Sequence, residues 1–150
     1  MPTKYMHTNL IAKDWQRLAS FYQGVFDCVP IPPERDLSGE WIDQATGIPD
    51  THITGIHLQL PGFREGGPTL EIFHYDEIQE HPVSQPNSPG FTHIAFAVDN
   101  VLATAQKVFQ QGGSAVGELT IRHIPGLGTI TFQYLADPEG NIIEIQKVEP

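Results

Sequence analysis

The sequence predicts an α+β fold built from two successive copies of one strand–helix–strands module. Two observations predict it. First, the segment YMHTNLIAKDWQRLASFYQGV can be laid over FTHIAFAVDNVLATAQKVFQQ so that His7 falls on His93, a shift of 93 − 7 = 86 residues, and Asp14 on Asn100. Second, after each of these segments the chain changes from a helical to a two-residue apolar period, in short runs separated by turns.

In the first copy, Asp14 is the expected N-cap of a helix that carries Leu18, Phe21, Tyr22 and Val25 at helical spacing. Strand-like runs follow in ITGIHLQL and PTLEIFHY, separated by the turn PGFREGGP. In the second copy Asn100 is the expected cap. Val101, Leu102, Ala105, Val108 and Phe109 share one helical face, and Gly112-Gly113 suits a left-handed C-cap. The runs SAVGELTI, GTITFQYL and NIIEIQKV come next, broken by IPGLG and by DPEGN, which reads as a turn and not as a phosphate loop. The modules are expected at about residues 3–78 and 91–150 of one domain. Residues 79–90, QEHPVSQPNSPG, form a semi-extended linker.

Residues 30–50 break the symmetry. This Pro-rich segment has no counterpart in the second copy. Ser38 can cap a short helix carrying Trp41, Ile42 and Ala45, ended by Gly47 and Pro49. Long connections of this kind serve as lids or binding loops, or simply cover part of a core.

Composition excludes several classes of function. A chain of 150 residues is long enough for its own core. The net charge of −10, with only eight Lys and Arg and no run of them, would repel a nucleic acid. No apolar run approaches the roughly 18 residues that span a bilayer. The N-terminus lacks the apolar core of a signal peptide, so the cytoplasm is the expected location. The single cysteine, Cys28, allows no internal disulfide and is expected in the core.

Four polar residues sit in otherwise apolar strands. His7 and His93 occupy the first strand of each copy, and Glu71 and Glu144 the last. A buried carboxylate in such a strand is expensive unless it is paired or bound to a metal. The two-residue period puts His93 with Phe91, Ala95 and Ala97, opposite Thr92, Ile94, Phe96 and Val98. It puts Glu71 with Phe73 and Tyr75, Glu144 with Ile142 and Gln146, and His7 with Tyr5 and Asn9. All four can therefore face away from the helix-packed side, and curved sheets would turn those faces into a pocket. Two imidazoles and two carboxylates offer mixed N and O donors for a divalent ion, without the thiolates of a structural zinc site.

Through MHTNLIAKDWQRLASFYQGVF, LEIFHY, THIAFAVDN and YLADPEGNIIEI, in this order and spacing, the chain resembles the vicinal oxygen chelate superfamily. That group holds glyoxalase I, methylmalonyl-CoA epimerase, extradiol dioxygenases, and fosfomycin and bleomycin resistance proteins. The resemblance implies paired βαβββ modules whose curved mixed sheets enclose a metal-containing cavity, often in a homodimer. Carried onto this sequence, it implies His7, Glu71, His93 and Glu144 as ligands of a divalent ion: Zn, Ni, Co, Mn or Fe. Two positions depart from glyoxalase I, Ile11 for an arginine and Tyr75 for an asparagine, which argues against glutathione as the substrate carrier.

The activity so implied is a lyase or isomerase reaction on a small molecule with adjacent oxygens. A proton next to a carbonyl is moved through an enediolate-like intermediate, with Glu144 as the expected base and Glu71 as the second candidate. Trp41, Phe73, Tyr75 and Tyr134 are the expected substrate-contacting residues. An extradiol-type Fe(II) dioxygenase is the alternative, since Tyr134 lies 144 − 134 = 10 residues before Glu144, as the active-site tyrosine does in those enzymes. A non-catalytic binding or resistance protein using the same cavity is the other. His52, His57, His74, His81 and His123 are expected at surfaces or edges, with His57 and His123 near enough to strands to approach the pocket; Arg35, Arg64 and Arg122 are expected as solvated surface in or beside loops, where any of them could meet an anionic substrate.

Overall fold

The computed structural model describes residues 2–150. They form two units, one ending at His81 and the other beginning at Pro82.

The first unit runs β1 (His7–Ile11), α1 (Trp15–Phe26), β2 (Val29–Ser38), α2 (Glu40–Thr46), β3 (His52–Gln59) and β4 (Thr69–Tyr75). Asp14 begins α1 as its sequence position requires, its Oδ1 accepting the Arg17 N–H at 3.1 Å. The stripe Leu18, Phe21, Tyr22 and Val25 is buried. It packs on β3 and β4, where Leu58, Leu70 and Ile72 are fully covered. Each such side chain contributes about 1.5–3 kcal/mol on burial. The strands lie in the order β1-β4-β3-β2, with β1 and β4 parallel and the other pairs antiparallel.

Most of residues 30–50 is regular structure rather than an open loop. β2 is the edge strand, and its pairing with β3 is interrupted between Ile31 and Arg35. Pro32 and Pro33 fall in that gap, because proline cannot donate to a ladder. Ser38 does not cap α2. The cap position is Gly39, at φ +108°, a conformation that a serine side chain resists. The Ser38 carbonyl instead accepts the Trp41 indole N–H at 2.9 Å. Gly47 ends the helix in the left-handed conformation, as expected.

The second unit runs β5 (His93–Ala97), α3 (Val101–Gln110), β6 (Ser114–Ala115), β7 (Thr120–Ile124), β8 (Gly128–Ala136) and β9 (Ile142–Glu149). Asn100 caps α3 through Oδ1, which accepts the Ala103 N–H at 2.9 Å. The order β5-β9-β8-β6 repeats that of the first unit, and β7 also pairs with β8. The run SAVGELTI thus splits into two short strands. Only Val101, Ala105 and Val108 of the expected α3 face are buried, while Leu102 and Phe109 are exposed. Those two lie about 100° further round the helix than the buried stripe. At DPEGN, Asp137 Oδ1 accepts the N–H of Glu139 and of Asn141, making the turn a structural one.

Candidate functional site

Each unit repeats the same strand register around its glutamate. In the parallel pair β1–β4, Asn9 stands opposite Glu71; in β5–β9, Ala95 stands opposite Glu144. His7 and His93 each lie two residues before that partner, and hence on the same face. The imidazoles lean toward the carboxylates: His7 Nε2 is 3.6 Å from Glu71 Oε1, and His93 Nε2 is 3.3 Å from Glu144 Oε1. The alternation read from the sequence is visible in the exposure of both first strands, where His7, Asn9 and Ile11, like His93, Ala95 and Ala97, are the open positions.

The antiparallel neighbours complete each constellation. His57 of β3 stands opposite Glu71, and Tyr134 of β8 stands opposite Glu144. His57, which the sequence puts at an edge but near enough to a strand to approach the pocket, therefore joins the face of Glu71. Its Nε2 lies 2.8 Å from Glu71 Oε2, and its Nδ1 lies 3.2 Å from the Thr69 hydroxyl. Both contacts are satisfied when Nε2–H donates to the carboxylate and Nδ1 accepts from Thr69. Burial, the largest influence, lowers the His57 pKa; Glu71 opposes this, and the charges of Arg35 and His7 add to it. The His57 ring meets His7 and Phe73 edge-on, at centroid distances of 5.7 and 6.0 Å. Tyr134 makes the matching ring contact with His93, at 5.0 Å.

The two carboxylates are held differently. Glu71 accepts from Asn9 Nδ2 at 2.8 Å on Oε1 and from His57 on Oε2. Glu144 has longer contacts, 3.3 Å from Gln146 Nε2 to Oε2 and 3.3 Å from His93 to Oε1. Both glutamates are largely covered, with side chains about one-eighth exposed.

Beyond His57 the first unit builds an apolar wall. Ile42 of α2 packs with Ile53 and Phe73, and Leu37 and Tyr75 flank them. Phe73 and Tyr75 thus share the Glu71 face, as the strand period requires. Burial first, and then the Glu71 charge, raises the Tyr75 pKa. Trp41 projects from α2 and is 58% exposed, so it offers surface rather than core.

The donor set suits a divalent cation. In each unit it consists of an imidazole nitrogen and carboxylate oxygens on adjacent strands, and Glu71 of the first unit is already held by hydrogen bonds. Among the described residues, no three His, Cys, Asp or Glu side chains are gathered into a ready-made metal site. The fit therefore rests on the two His–Glu pairs, one per unit.

The description Glyoxalase/Bleomycin resistance protein/Dioxygenase superfamily belongs to a family model that matches residues 4–145. The chain is a member of this superfamily. Its fold is shared with a solved glyoxalase family protein from Bacillus cereus, at a TM-score of 0.84 and 16% identity, over 100% of this chain and 97% of that one. FosX, a genomically encoded fosfomycin resistance protein from Listeria monocytogenes solved with Mn(II) and sulfate, matches at a TM-score of 0.56 and 17% identity, over 98% and 93% of the two chains. In sequence, this superfamily member is 38% identical over 65 residues to CFP32 of Mycobacterium tuberculosis, a protein named for a glyoxylase. That match takes in 43% of this chain and 23% of CFP32, so the chain spans under a quarter of that relative's length. The glyoxalase domain-containing protein RDO1 of Mycosarcoma maydis is 26% identical over 102 residues, 64% of this chain and 58% of RDO1.

Proposed function

We propose that this superfamily member is a divalent-metal-dependent lyase or isomerase of the glyoxalase or epimerase type, acting on a small molecule with adjacent oxygens. His7, Glu71, His93 and Glu144 would hold the ion, which when bound supplies Lewis-acid stabilisation of negative charge developing on the substrate's oxygens. The protein's own part is to take a proton from the carbon beside the carbonyl and return it to the same or the neighbouring carbon.

The observation that carries this reading is the unequal holding of the two carboxylates. Glu71 has a short hydrogen bond on each oxygen, so its carboxylate is fixed. Among the described residues, Glu144 has the longer contacts from Gln146 and His93, so its carboxylate is the less firmly held of the two and the better placed to accept a proton. Fixed ligand and movable base are the two roles such a reaction divides between carboxylates. In this reading Trp41 and Tyr75 border the substrate, and the enzyme is a cytoplasmic homodimer, as superfamily members often are dimers.

The test has two parts. Metal analysis of the purified protein should find a divalent ion that His93→Ala loses; full occupancy in that variant would sink the ligand assignment. In deuterated water, the parent protein should exchange the α-proton of a substrate within a panel of α-hydroxy thioesters and CoA esters, and Glu144→Gln should not. No exchange by the metal-loaded parent over that panel counts against the reaction class.

A second reading, an extradiol-type Fe(II) dioxygenase, draws support from Tyr134, whose ring rests on His93 opposite Glu144. The firmly held Glu71 weighs against it, since a fourth ligand would fill room that oxygen and a catechol need. Oxygen uptake with Fe(II) and catechols would favour it.

A further inference from the structure

Arg35 lies on the same face of the first unit as Glu71. In the β2–β3 ladder it stands opposite Gly55, and Leu37 stands opposite Ile53. In the β3–β4 ladder Gly55 stands opposite Phe73, and His57 opposite Glu71. Leu37 packs into the cluster of Ile42, Ile53 and Phe73 on this face, so Arg35, two residues earlier on the same strand, shares it.

What Arg35 lacks is an acid. It is half-buried, and its guanidinium donates to the Pro33 carbonyl. Among the described residues no carboxylate pairs with it, although the chain carries 18 Asp and Glu against eight Lys and Arg. A partly covered guanidinium with no carboxylate partner is free to meet a bound anion. The guanidinium fork presents five N–H donors in a plane that matches a carboxylate or phosphoryl group. Between Arg35 and Glu71 lie His57 and the Phe73 ring, which sits over Gly55 so closely that a Cβ there would be 2.8 Å from it.

We propose that Arg35 receives an anionic group of the substrate, a carboxylate or a phosphoryl group. The substrate's apolar portion then lies along Leu37, Phe73 and Tyr75, and its adjacent oxygens lie toward His7 and Glu71. The substrate is on this account an anion-bearing hydroxy- or oxo-compound rather than a neutral one. The assignment rests on the metal-dependent reading of the same face.

The experiment follows the Arg35 side-chain Nε–Hε resonance, identified by its loss in Arg35→Lys, in metal-free and zinc-loaded protein. The probes are malate, dihydroxyacetone phosphate and neutral glycolamide. The resonance should move with malate or dihydroxyacetone phosphate and stay in place with glycolamide; malate offers only carboxylates and dihydroxyacetone phosphate only a phosphoryl group, so the one that moves it separates carboxylate from phosphoryl recognition. Calorimetric affinity for the effective anion should fall about tenfold in Arg35→Gln, the loss of one charged hydrogen-bonded contact, and less in Arg35→Lys. Zinc affinity should be the same in both variants as in the parent. An Arg35 resonance that ignores both anions, or an Arg35→Gln variant that binds them as the parent does, overturns the proposal. Failure of the parent to bind zinc would instead count against the metal reading, and the metal-free spectra would still decide the role of Arg35.

Discussion

His57 Nε2 stands 2.8 Å from Glu71 Oε2, across an antiparallel ladder that makes the two residues direct partners. Tyr134 occupies the corresponding position opposite Glu144. The two units therefore share a plan, but at this ladder position the first sets an imidazole against its glutamate and the second a tyrosine ring.

If Glu71 is a metal ligand, His57 is the residue that orients it. Removing such a partner costs roughly 10–100-fold in metal affinity. His57→Phe should therefore weaken zinc binding by about tenfold in a calorimetric titration, with the far-ultraviolet circular dichroism unchanged. His57→Gln, which can still donate, should recover part of the loss. Parent-like affinity in His57→Phe would show that Glu71 holds its place without help.

Gly55 is expected to be irreplaceable. A Cβ there would lie 2.1 Å from the Ile72 carbonyl oxygen and 2.8 Å from the Phe73 ring. The backbone contact cannot be relieved by a rotamer change, so Gly55→Ala should destabilise the protein by about 1–3 kcal/mol, the usual cost of overpacking. The midpoint of urea unfolding should fall accordingly. An unchanged midpoint would mean that β3 and β4 can separate locally at no cost.

His52 joins three strands at the open end of the first sheet. Its Nδ1 lies 2.9 Å from Asp76 and its Nε2 lies 2.7 Å from Asp36. The hydrogen bond to Asp76, then that to Asp36, raise its pKa above the ordinary 6.5. A raised folded value means that the protonated form favours folding. That contribution is complete below the unfolded pKa and disappears as the pH rises through the folded one. The protein should thus lose melting temperature between about pH 5.5 and 8.5 by more than His52→Gln does. The pair is exposed, so the difference should be small and should shrink in high salt. Identical pH profiles for parent and variant would rule the clamp out.

Cys28 should be chemically silent. Burial, with a smaller push from the neighbouring Asp27, raises its thiol to about 12, so little thiolate forms at neutral pH. Ellman's reagent should react with it only after denaturation. Rapid labelling of the native protein would show that the helix–strand junction opens.

The repeat makes the two His–Glu pairings legible in the sequence alone. His7 and His93 stood out as polar residues in apolar strands, and Glu71 and Glu144 marked the last strands. The two-residue period put each histidine on a face that its glutamate could share. The pairing of His57 with Glu71 is hidden by its spacing: it lies 71 − 57 = 14 residues before Glu71, whereas Tyr134 lies 144 − 134 = 10 before Glu144. The longer connection through PGFREGGP shifts the count without shifting the register. The ladder pairs Gln59 with Thr69 about residue 64, and counting out from that residue brings His57 opposite Glu71. Leu102 and Phe109 misled for a different reason, since an apolar residue at the margin of a helical stripe need not find anything to pack on.

The sequence by itself determined the module, its duplication, the helix caps at Asp14 and Asn100, and the placing of His7, Glu71, His93 and Glu144 in otherwise apolar strands. Those are properties of local pattern, set by periodicity and by the hydrogen-bonding habits of single side chains. Only the tertiary structure decided that β2 is an edge strand, that Gly39 rather than Ser38 begins α2, and that His57 and Arg35 join the face of Glu71. Strand register brings residues together across connections of any length, and a one-dimensional pattern does not record which partners it will choose.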